Sequence, residues 1–107
     1  MNRDIQREIK KMIDENRVVL FMKGTPSSPM CRLSANIVVM LKEHGIHDFK
    51  SIDILNDFAI REGVKVFSDW PSLPQLYVDG EFIGGSEEVQ ELYDCGVLEK
   101  KLQMNSV

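Results

Sequence analysis

The chain has 107 residues, of which 43% are hydrophobic and 28% are charged, and its formal net charge is −4. This length suits one domain with a buried core, which we expect to span residues 1–107, and the composition is ordinary for a soluble protein. The acidic balance, without a local cluster of Lys or Arg, argues against binding to nucleic acid or to an anionic membrane.

The N-terminal segment, MNRDIQREIKKMIDENR, is too polar for a signal peptide and carries too many acids for a transit peptide. No apolar run approaches the roughly 20 residues that a membrane span needs. Two cysteines do not form a disulfide framework. The sequence therefore predicts a cytoplasmic protein with reduced thiols.

Helix and strand signals alternate in the first half of the chain. Residues 3–15 carry apolar side chains at helical spacing, and VVLFM at 18–22 is a continuous apolar run, typical of a strand buried on both faces. KGTPSSP at 23–29 reads as a loop. A second helix is predicted from Cys31 to His44 by its apolar spacing, and Gly45 follows as a C-terminal cap.

A strand, a helix and a loop are predicted next. FKSIDI at 49–54 has the composition of a strand, and Asn56 or Asp57 can cap the helix that follows. SDWPSLP at 68–74, with two prolines, indicates a loop.

The hairpin signal at residues 75–85, QLYVDGEFIGG, is the clearest local pattern in the chain. Two β-rich runs flank Asp79-Gly80, a pair suited to a tight turn. Ser86 is then predicted as the N-cap of a helix that ends at Gly96, and residues 97–102 as a last short helix.

The element order α-β-α-β-α-β-β-α-α indicates an α/β fold. Strands separated by helices imply a crossover sheet, and the final hairpin adds an antiparallel neighbour. We therefore expect a central mixed sheet of four strands flanked by helices.

The position of Cys31, at a helix start after a strand and a loop, suggests a reactive thiol. Free N–H groups and the positive end of the helix dipole favour the thiolate there, and Lys23 and Arg32 can add positive charge. The alternative is that Cys31 is an inert, buried hydrophobe. Spacing alone leaves both interpretations open.

Several motifs of the chain resemble those of the monothiol glutaredoxins. FMKGTPSSPMCRLS contains the family's Lys-Gly-Thr-Pro and its active-site cysteine, with Ser34 in place of a second thiol. IDILNDFAIREGVKVFSDW and DWPSLPQLYVDGEFIGGSEE follow in the family's order and spacing. The likeness covers residues 3–102 and implies a thioredoxin-like fold in a single glutaredoxin domain, with Cys31 as the catalytic residue.

The resemblance also implies a site for glutathione, whose three chemical parts match three groups of residues. Cations would bind its glycyl carboxylate. The backbone at an X-Pro bond that is cis in this fold would pair with its cysteinyl unit, and the N–H groups at a helix start would bind its γ-glutamyl carboxylate. The matching positions are Lys23, Arg61, Lys65, Leu73, Pro74, Ser86 and Glu87.

Two uses of Cys31 follow from the resemblance. In the first, Cys31 of two subunits and two glutathiones supply the four thiolates of a [2Fe–2S] cluster, held by a homodimer and passed to apo iron–sulfur proteins. In the second, Cys31 removes glutathione from mixed disulfides as an oxidoreductase. A third reading is a binding module with neither activity, so the sequence leaves open whether the chain is an enzyme.

The chain departs from the family at the active-site motif. The family's Cys-Gly-Phe-Ser is here Cys31-Arg32-Leu33-Ser34. Arg32 either neutralises a negative cluster or obstructs the approach of two subunits. Ser72 replaces a threonine, and Glu87 replaces an aspartate and lengthens the reach to the γ-glutamyl ammonium.

Three other residues with reactive or metal-binding side chains carry weaker signals. Cys95, just before Gly96, is expected to be a structural or partly exposed thiol, although it could instead resolve a disulfide with Cys31. His44 and His47 lack neighbouring ligands in a metal-binding pattern.

Overall fold

The computed structural model describes residues 3–103, and its helices and strands follow the predicted order with one small addition. The helices are α1 (Ile5–Glu15), α2 (Arg32–Glu43), α3 (Phe58–Ser68), α4 (Ser86–Asp94) and α5 (Val97–Gln103). The strands are β1 (Val18–Met22), β2 (Gly24–Thr25), β3 (Ser28–Pro29), β4 (Lys50–Asp53), β5 (Gln75–Val78) and β6 (Glu81–Gly84).

Four strands form one mixed sheet in the order β4-β1-β5-β6. Strand β1 is parallel to β4, where Leu20 lies opposite Ser51, and antiparallel to β5, where Leu20 lies opposite Leu76. Strand β6 is antiparallel to β5. The predicted α/β, thioredoxin-like architecture is therefore confirmed.

The side chains of β1 point alternately to the two faces of the sheet, because successive residues of a strand do so. Leu20 and Met22 join a core with α2, α4 and α5, whereas Val19 and Phe21 join a second core with α1 and α3. All five residues of β1 are buried. This burial on both faces confirms the prediction drawn from the continuous apolar run at 18–22.

The β5–β6 hairpin turns at the predicted pair. Asp79 and Gly80 have φ angles of 51° and 80°, as two-residue hairpin turns with a matching twist require. The helix after β4 is capped by Asp57, whose side chain accepts the N–H of Ile60, rather than by Asn56. In residues 3–103, no helix has both the length and the apolar character to cross a membrane.

Residues 23–29, which the sequence predicts as a loop, contain two short strands that were not predicted. Strands β2 and β3 pair antiparallel within this segment, so Gly24 lies opposite Pro29. Gly24 has φ +89°, and a Cβ there would lie 2.6 Å from the backbone nitrogen of Met30. The tight turn leads directly into the start of α2.

Candidate functional site

Cys31 is the N-cap of α2, with an extended backbone at φ −156° and ψ 135°. The turn of β2 and β3 delivers the chain to this point, and the backbone N–H of Met30 is fixed by a 2.9 Å hydrogen bond to the carbonyl of Lys23. Cys31 is a free thiol of intermediate exposure. The structure therefore places it at the helix start that the sequence predicts, and the interpretation as a fully buried hydrophobe is wrong.

The pKa of Cys31 lies below its ordinary value, chiefly because the backbone N–H of Ser34 interacts with the sulfur. Partial burial opposes this effect, while the N–H of Leu33, the charge of Lys23 and the Ser34 hydroxyl each lower the pKa further. These groups stabilise a negative charge at a helix N-terminus. The sulfur is accordingly disposed to act as a thiolate, either as a nucleophile or as a metal ligand.

Ser34 has a structural role that its place in the motif does not reveal. The residue is completely buried, and its hydroxyl oxygen accepts the backbone N–H of Lys23 at 3.1 Å. The same hydroxyl lowers the pKa of Cys31. Ser34 thus links the end of β1 to the first turn of α2 and supports the thiolate as well.

Asp53 connects the active-site loop to the loop before α3. One of its carboxylate oxygens accepts the N–H of Gly24 at 2.9 Å and the N–H of Leu55 at 3.0 Å, and the other accepts the amide of Asn56. Sequence reasoning missed this residue. An acid at the end of a predicted strand, followed within four residues by Asn56 and Asp57, is the signal that was available.

A groove of about 270 Å³ opens beside Leu33, two residues after Cys31. Its other walls come from residues 70–74 and from residues 85–88. It brings together four of the predicted glutathione residues, which are Leu73, Pro74, Ser86 and Glu87. Lys23, Arg61 and Lys65 lie outside its lining, so the predicted residues divide into two groups.

Gln75 stabilises the wall of the groove that residues 70–74 form. This side chain is completely buried and donates to the carbonyls of Trp70 at 3.3 Å and Ser72 at 3.2 Å. The Leu73-Pro74 peptide bond is cis, as the resemblance implied. Sequence reasoning gave Gln75 no role, because a glutamine at a strand start carries no distinctive signal.

The start of α4 forms the opposite wall, and its N-cap differs from the prediction. Gly85, not Ser86, is the N-cap, and the Glu88 carboxylate accepts the N–H of Gly85 at 2.9 Å. Glu88 turns back to the cap in the manner of a capping box, so Ser86 becomes the first helical residue. Gly84 has φ +135°, and a Cβ there would lie 2.5 Å from the Cβ of Glu88, so both conformation and space require glycine.

The cations on α3 are partly neutralised. Glu62 forms a 3.0 Å ion pair with Lys65 and lies 4.0 Å from the Nε of Arg61. Lys23, by contrast, has no carboxylate within ion-pair distance in the part of the chain that the structure describes. Of the three predicted cations, Lys23 is the one whose charge acts on Cys31.

Cys95 and the two histidines stand apart from this groove. Cys95 is exposed at the C-cap of α4, and the ring of His44 packs on Tyr93 with a centroid distance of 5.2 Å. Residues 3–103 contain no group of three or more His, Cys, Asp or Glu side chains that could hold a metal ion. A metal bound at Cys31 would need most of its ligands from outside these described residues.

Known proteins resemble this chain in sequence and in structure. A family model described as "Glutaredoxin" matches residues 18–83. The chain is 48% identical over 95 residues to "Probable monothiol glutaredoxin 2" of Rickettsia typhi, across 89% of this chain and 85% of that protein.

Two further relatives differ in how much of their length is matched. "Glutaredoxin-related protein 5, mitochondrial" of Danio rerio is 40% identical over 98 residues, which are 92% of this chain but 63% of that protein. The chain thus spans less than two thirds of that relative's length. The solution structure of reduced poplar apo GrxS14 has a TM-score of 0.81 at 39% identity, across 94% of this chain and 91% of that one.

Proposed function

Because the chain belongs to the glutaredoxin family, and within it to the monothiol glutaredoxins, we propose that it carries a [2Fe–2S] cluster together with glutathione. The cluster is cargo, which a homodimer holds and delivers to apo iron–sulfur proteins. A reducing cytoplasm is the proposed setting, since both cysteines are free thiols.

The observation that carries this proposal is the isolation of Cys31. A [2Fe–2S] cluster needs four thiolates. Cys31 has a lowered pKa and lies two residues before Leu33, which lines the groove. Two copies of the chain provide two thiolates, and two bound glutathiones provide the other two. The residues therefore fit the cluster only when ligands from outside one chain complete it.

The groove and its surroundings offer complementary groups for glutathione. Its γ-glutamyl carboxylate would meet the N–H groups at the start of α4, and the exposed Glu87 side chain would reach the ammonium. The backbone at Leu73 and Pro74 would pair with the cysteinyl unit as one strand pairs with another. This pose directs the glutathione thiol toward Cys31.

The cationic side of the same site would bind the glycyl carboxylate. Lys23 is available for this contact, whereas Arg61 and Lys65 share Glu62. A carboxylate that enters here competes with Glu62 for those two side chains. We therefore assign the primary contact to Lys23 and secondary contacts to Arg61 and Lys65.

Thiol exchange is a second candidate function, favoured by the lowered pKa of Cys31. The Cys31 thiolate would attack the glutathione sulfur of a protein–glutathione disulfide and release the protein thiolate. The thiolate of a second glutathione would then attack the Cys31–glutathione disulfide, which yields oxidised glutathione and regenerates Cys31. Ser34 cannot form a disulfide with Cys31, so the second step depends on glutathione.

The deciding experiment is an absorption spectrum of protein purified without oxygen, with iron and acid-labile sulfide counted. Wild type should show visible absorption, equal iron and sulfide, and a dimer by native mass spectrometry. Cys31→Ser should lose all three, while the matched variant Cys95→Ser should retain them. A colourless wild type that also resists reconstitution with iron, sulfide and glutathione would contradict the cluster and leave thiol exchange, which a glutathione-coupled turnover assay measures.

A further inference from the structure

Within residues 3–103, two polar residues are completely buried, and both lie beside the candidate site. Ser34 supports the thiolate of Cys31, as described above, and Gln75 is the first residue of β5. A buried carboxamide is unfavourable unless its polar groups are paired. Gln75 therefore requires an explanation that an apolar side chain at the start of this strand would not need.

The carboxamide of Gln75 is paired at both of its ends. Its Nε2 donates to the carbonyls of Trp70 at 3.3 Å and Ser72 at 3.2 Å, and its Oε1 accepts the hydroxyl of Tyr77 at 3.0 Å. Burial raises the pKa of Tyr77 to about 12, so this hydroxyl stays a donor at neutral pH. The reverse orientation would set the amide oxygen against two carbonyls, so Tyr77 fixes the direction in which Gln75 donates.

The wall that Gln75 stabilises contacts the opposite wall of the groove. A Cβ on Gly85, the N-cap of α4, would lie 3.3 Å from the carbonyl oxygen of Pro74 and 3.5 Å from the Nε1 of Trp70. The Trp70 ring also packs on Phe82, with centroids 5.7 Å apart, and Phe82 packs on Tyr77 at 5.4 Å. Tyr77 therefore supports Trp70 by two routes, through its hydroxyl and through its ring.

We propose that Gln75, oriented by Tyr77, is a positioning residue that sets the separation of the two groove walls and thereby the affinity for glutathione. This inference rests on the proposed function, in which one ligand pairs with the backbone at Leu73 and Pro74 and also reaches the start of α4. Such a ligand is sensitive to the separation of the walls, because a preformed site needs less ordering on binding. Since Gln75 is completely buried, it acts through the wall rather than by contact with the ligand.

The alternative is that Gln75 contributes only to the stability of the fold. The two roles differ in what a substitution changes. Loss of a purely stabilising residue lowers the free energy of unfolding and leaves the affinity of the folded protein unchanged, whereas loss of a positioning residue lowers both. Cys31 does not line the groove, so its reaction with a small reagent serves as an internal reference.

The test measures binding of reduced glutathione by isothermal titration calorimetry in the Cys31→Ser background, where neither thiol exchange nor a cluster is involved. Gln75→Met keeps a side chain of similar length and removes all three hydrogen bonds. Tyr77→Phe removes only the hydroxyl that orients Gln75. Gly85→Ala leaves these hydrogen bonds intact and places a methyl group 3.3 Å from the Pro74 carbonyl oxygen, where it presses the walls apart.

Asn16→Leu is the matched control. The Asn16 carboxamide also donates to a backbone carbonyl, that of Met12 at 2.8 Å, and leucine replaces it with an apolar side chain of similar size. Phe21, near the end of β1, lies opposite Gln75, whereas Asn16 precedes the start of β1, at the other end of the sheet. Urea unfolding verifies that each variant is folded under the conditions of the titration.

We expect the affinity for glutathione to depend on the wall from both sides. Gln75→Met should weaken binding by about tenfold, as the loss of one or two hydrogen bonds does. Gly85→Ala should weaken it in the same direction, and Tyr77→Phe by about two- to threefold, because the donors of Gln75 remain. Asn16→Leu, at a distant site, should stay within about twofold of the background protein.

Two measurements on the apo protein distinguish the wall from the thiol. Trp70 is the sole tryptophan and lines the groove, so acrylamide should quench its fluorescence more strongly in Gln75→Met than in Asn16→Leu. With Cys31 intact and Cys95→Ser as the background, iodoacetamide should alkylate both variants at the same rate. A displaced wall beside an unchanged thiol is the signature of positioning, since general loosening would change both.

Several outcomes would overturn the assignment. Unchanged affinity in Gln75→Met, an equal loss in Asn16→Leu, or equal quenching in these two variants would make Gln75 a purely structural residue. If Gln75→Met does not fold, unchanged affinity in both Tyr77→Phe and Gly85→Ala would have the same consequence. A Cys31→Ser protein that binds no glutathione at millimolar concentration would overturn the proposed function as well, whereas glutathione binding without a cluster in wild type would contradict the cluster alone.

Discussion

The two cysteines of the chain occupy opposite ends of two helices. Cys31 is the N-cap of α2, where it meets N–H groups and the charge of Lys23. Cys95 is the C-cap of α4, where its sulfur donates toward the carbonyl of Leu92 at 3.7 Å. Cys95 is the more exposed of the two. The comparison teaches that the polarity of the helix end, rather than exposure, prepares one thiol for chemistry.

The largest expected effect is a difference in alkylation rate between these two thiols. At pH 7, iodoacetamide should modify Cys31 at least ~3-fold faster than Cys95, because the thiolate is the reactive form and the N–H groups at the start of α2 favour it at Cys31. Mass spectrometry of peptides from timed samples measures both rates in one experiment. In guanidinium chloride the two rates should converge, and equal rates in the folded protein would contradict the comparison.

The pH dependence of this reaction follows from the lowered pKa of Cys31. Since the folded value lies below that of an unfolded thiol, the thiolate persists between the two values as the pH falls, and it is lost only below the folded pKa. The lowered pKa also contributes to the free energy of unfolding. This contribution is fully present above the pKa of the unfolded thiol and is lost as the pH falls through the folded pKa. Alkylation of Cys95→Ser as a function of pH should therefore give a midpoint below that of the unfolded chain.

Much of this arrangement could be predicted from sequence, because its signals are local. The apolar run of β1, the Asp79-Gly80 turn and the helix that starts after Cys31 each arise from neighbouring residues. The parts that could not be predicted depend on contacts that cross the fold or leave no compositional trace. Asp53 joins two loops across the fold, and Glu88 takes over the capping that Ser86 was expected to provide.

The cations of the site show the same limit. Arg61 and Lys65 were placed by resemblance beside the glycyl carboxylate of glutathione, and that role stays a prediction. Sequence spacing puts Glu62 next to both on α3, but whether a carboxylate at such a position pairs with its neighbours depends on side-chain conformation. The structure pairs it with Lys65 at 3.0 Å.

Removal of the Ser34 hydroxyl should produce the second largest effect. Ser34→Ala leaves the backbone N–H of Lys23 without its acceptor in a buried setting, which should lower the free energy of unfolding by about 1–3 kcal/mol. It should also raise the pKa of Cys31, because the hydroxyl supports the thiolate. Urea unfolding and the pH profile of alkylation measure the two consequences separately.

Ser68→Ala is the matched control for this substitution. The Ser68 hydroxyl donates to the carbonyl of Val64 within α3, so its removal should leave the pH profile of Cys31 unchanged. If both alanine variants shifted the profile equally, the effect would be one of general stability rather than of the contact at α2.

A smaller effect on stability is expected from loss of the Lys23 charge, because Lys23→Gln leaves no buried donor without an acceptor. Lys23→Gln should raise the pKa of Cys31, because the Lys23 charge favours the thiolate, although it ranks behind the backbone N–H groups of Ser34 and Leu33. The shift should diminish at high salt, which screens exposed charges. Lys42→Gln, at the far end of α2, should leave the alkylation profile of Cys31 unaltered. A salt-independent shift would mean that Lys23 acts through backbone position instead of charge.

The smallest predicted effect concerns the cations that Glu62 restrains. Glu62→Gln would free Lys65 and Arg61 from their shared carboxylate. Both cations would then attract the glycyl carboxylate of glutathione more strongly. Because exposed ion pairs contribute at most about 1 kcal/mol, glutathione affinity should rise by roughly two- to threefold. Isothermal titration calorimetry with Cys31→Ser as the background measures this without thiol exchange. Asp14→Asn is the matched control, because it removes the 2.7 Å pair with Lys10 on α1 and makes the same change in net charge. An equal rise in affinity in that variant would assign the gain to net charge rather than to competition between Glu62 and glutathione for the same cations.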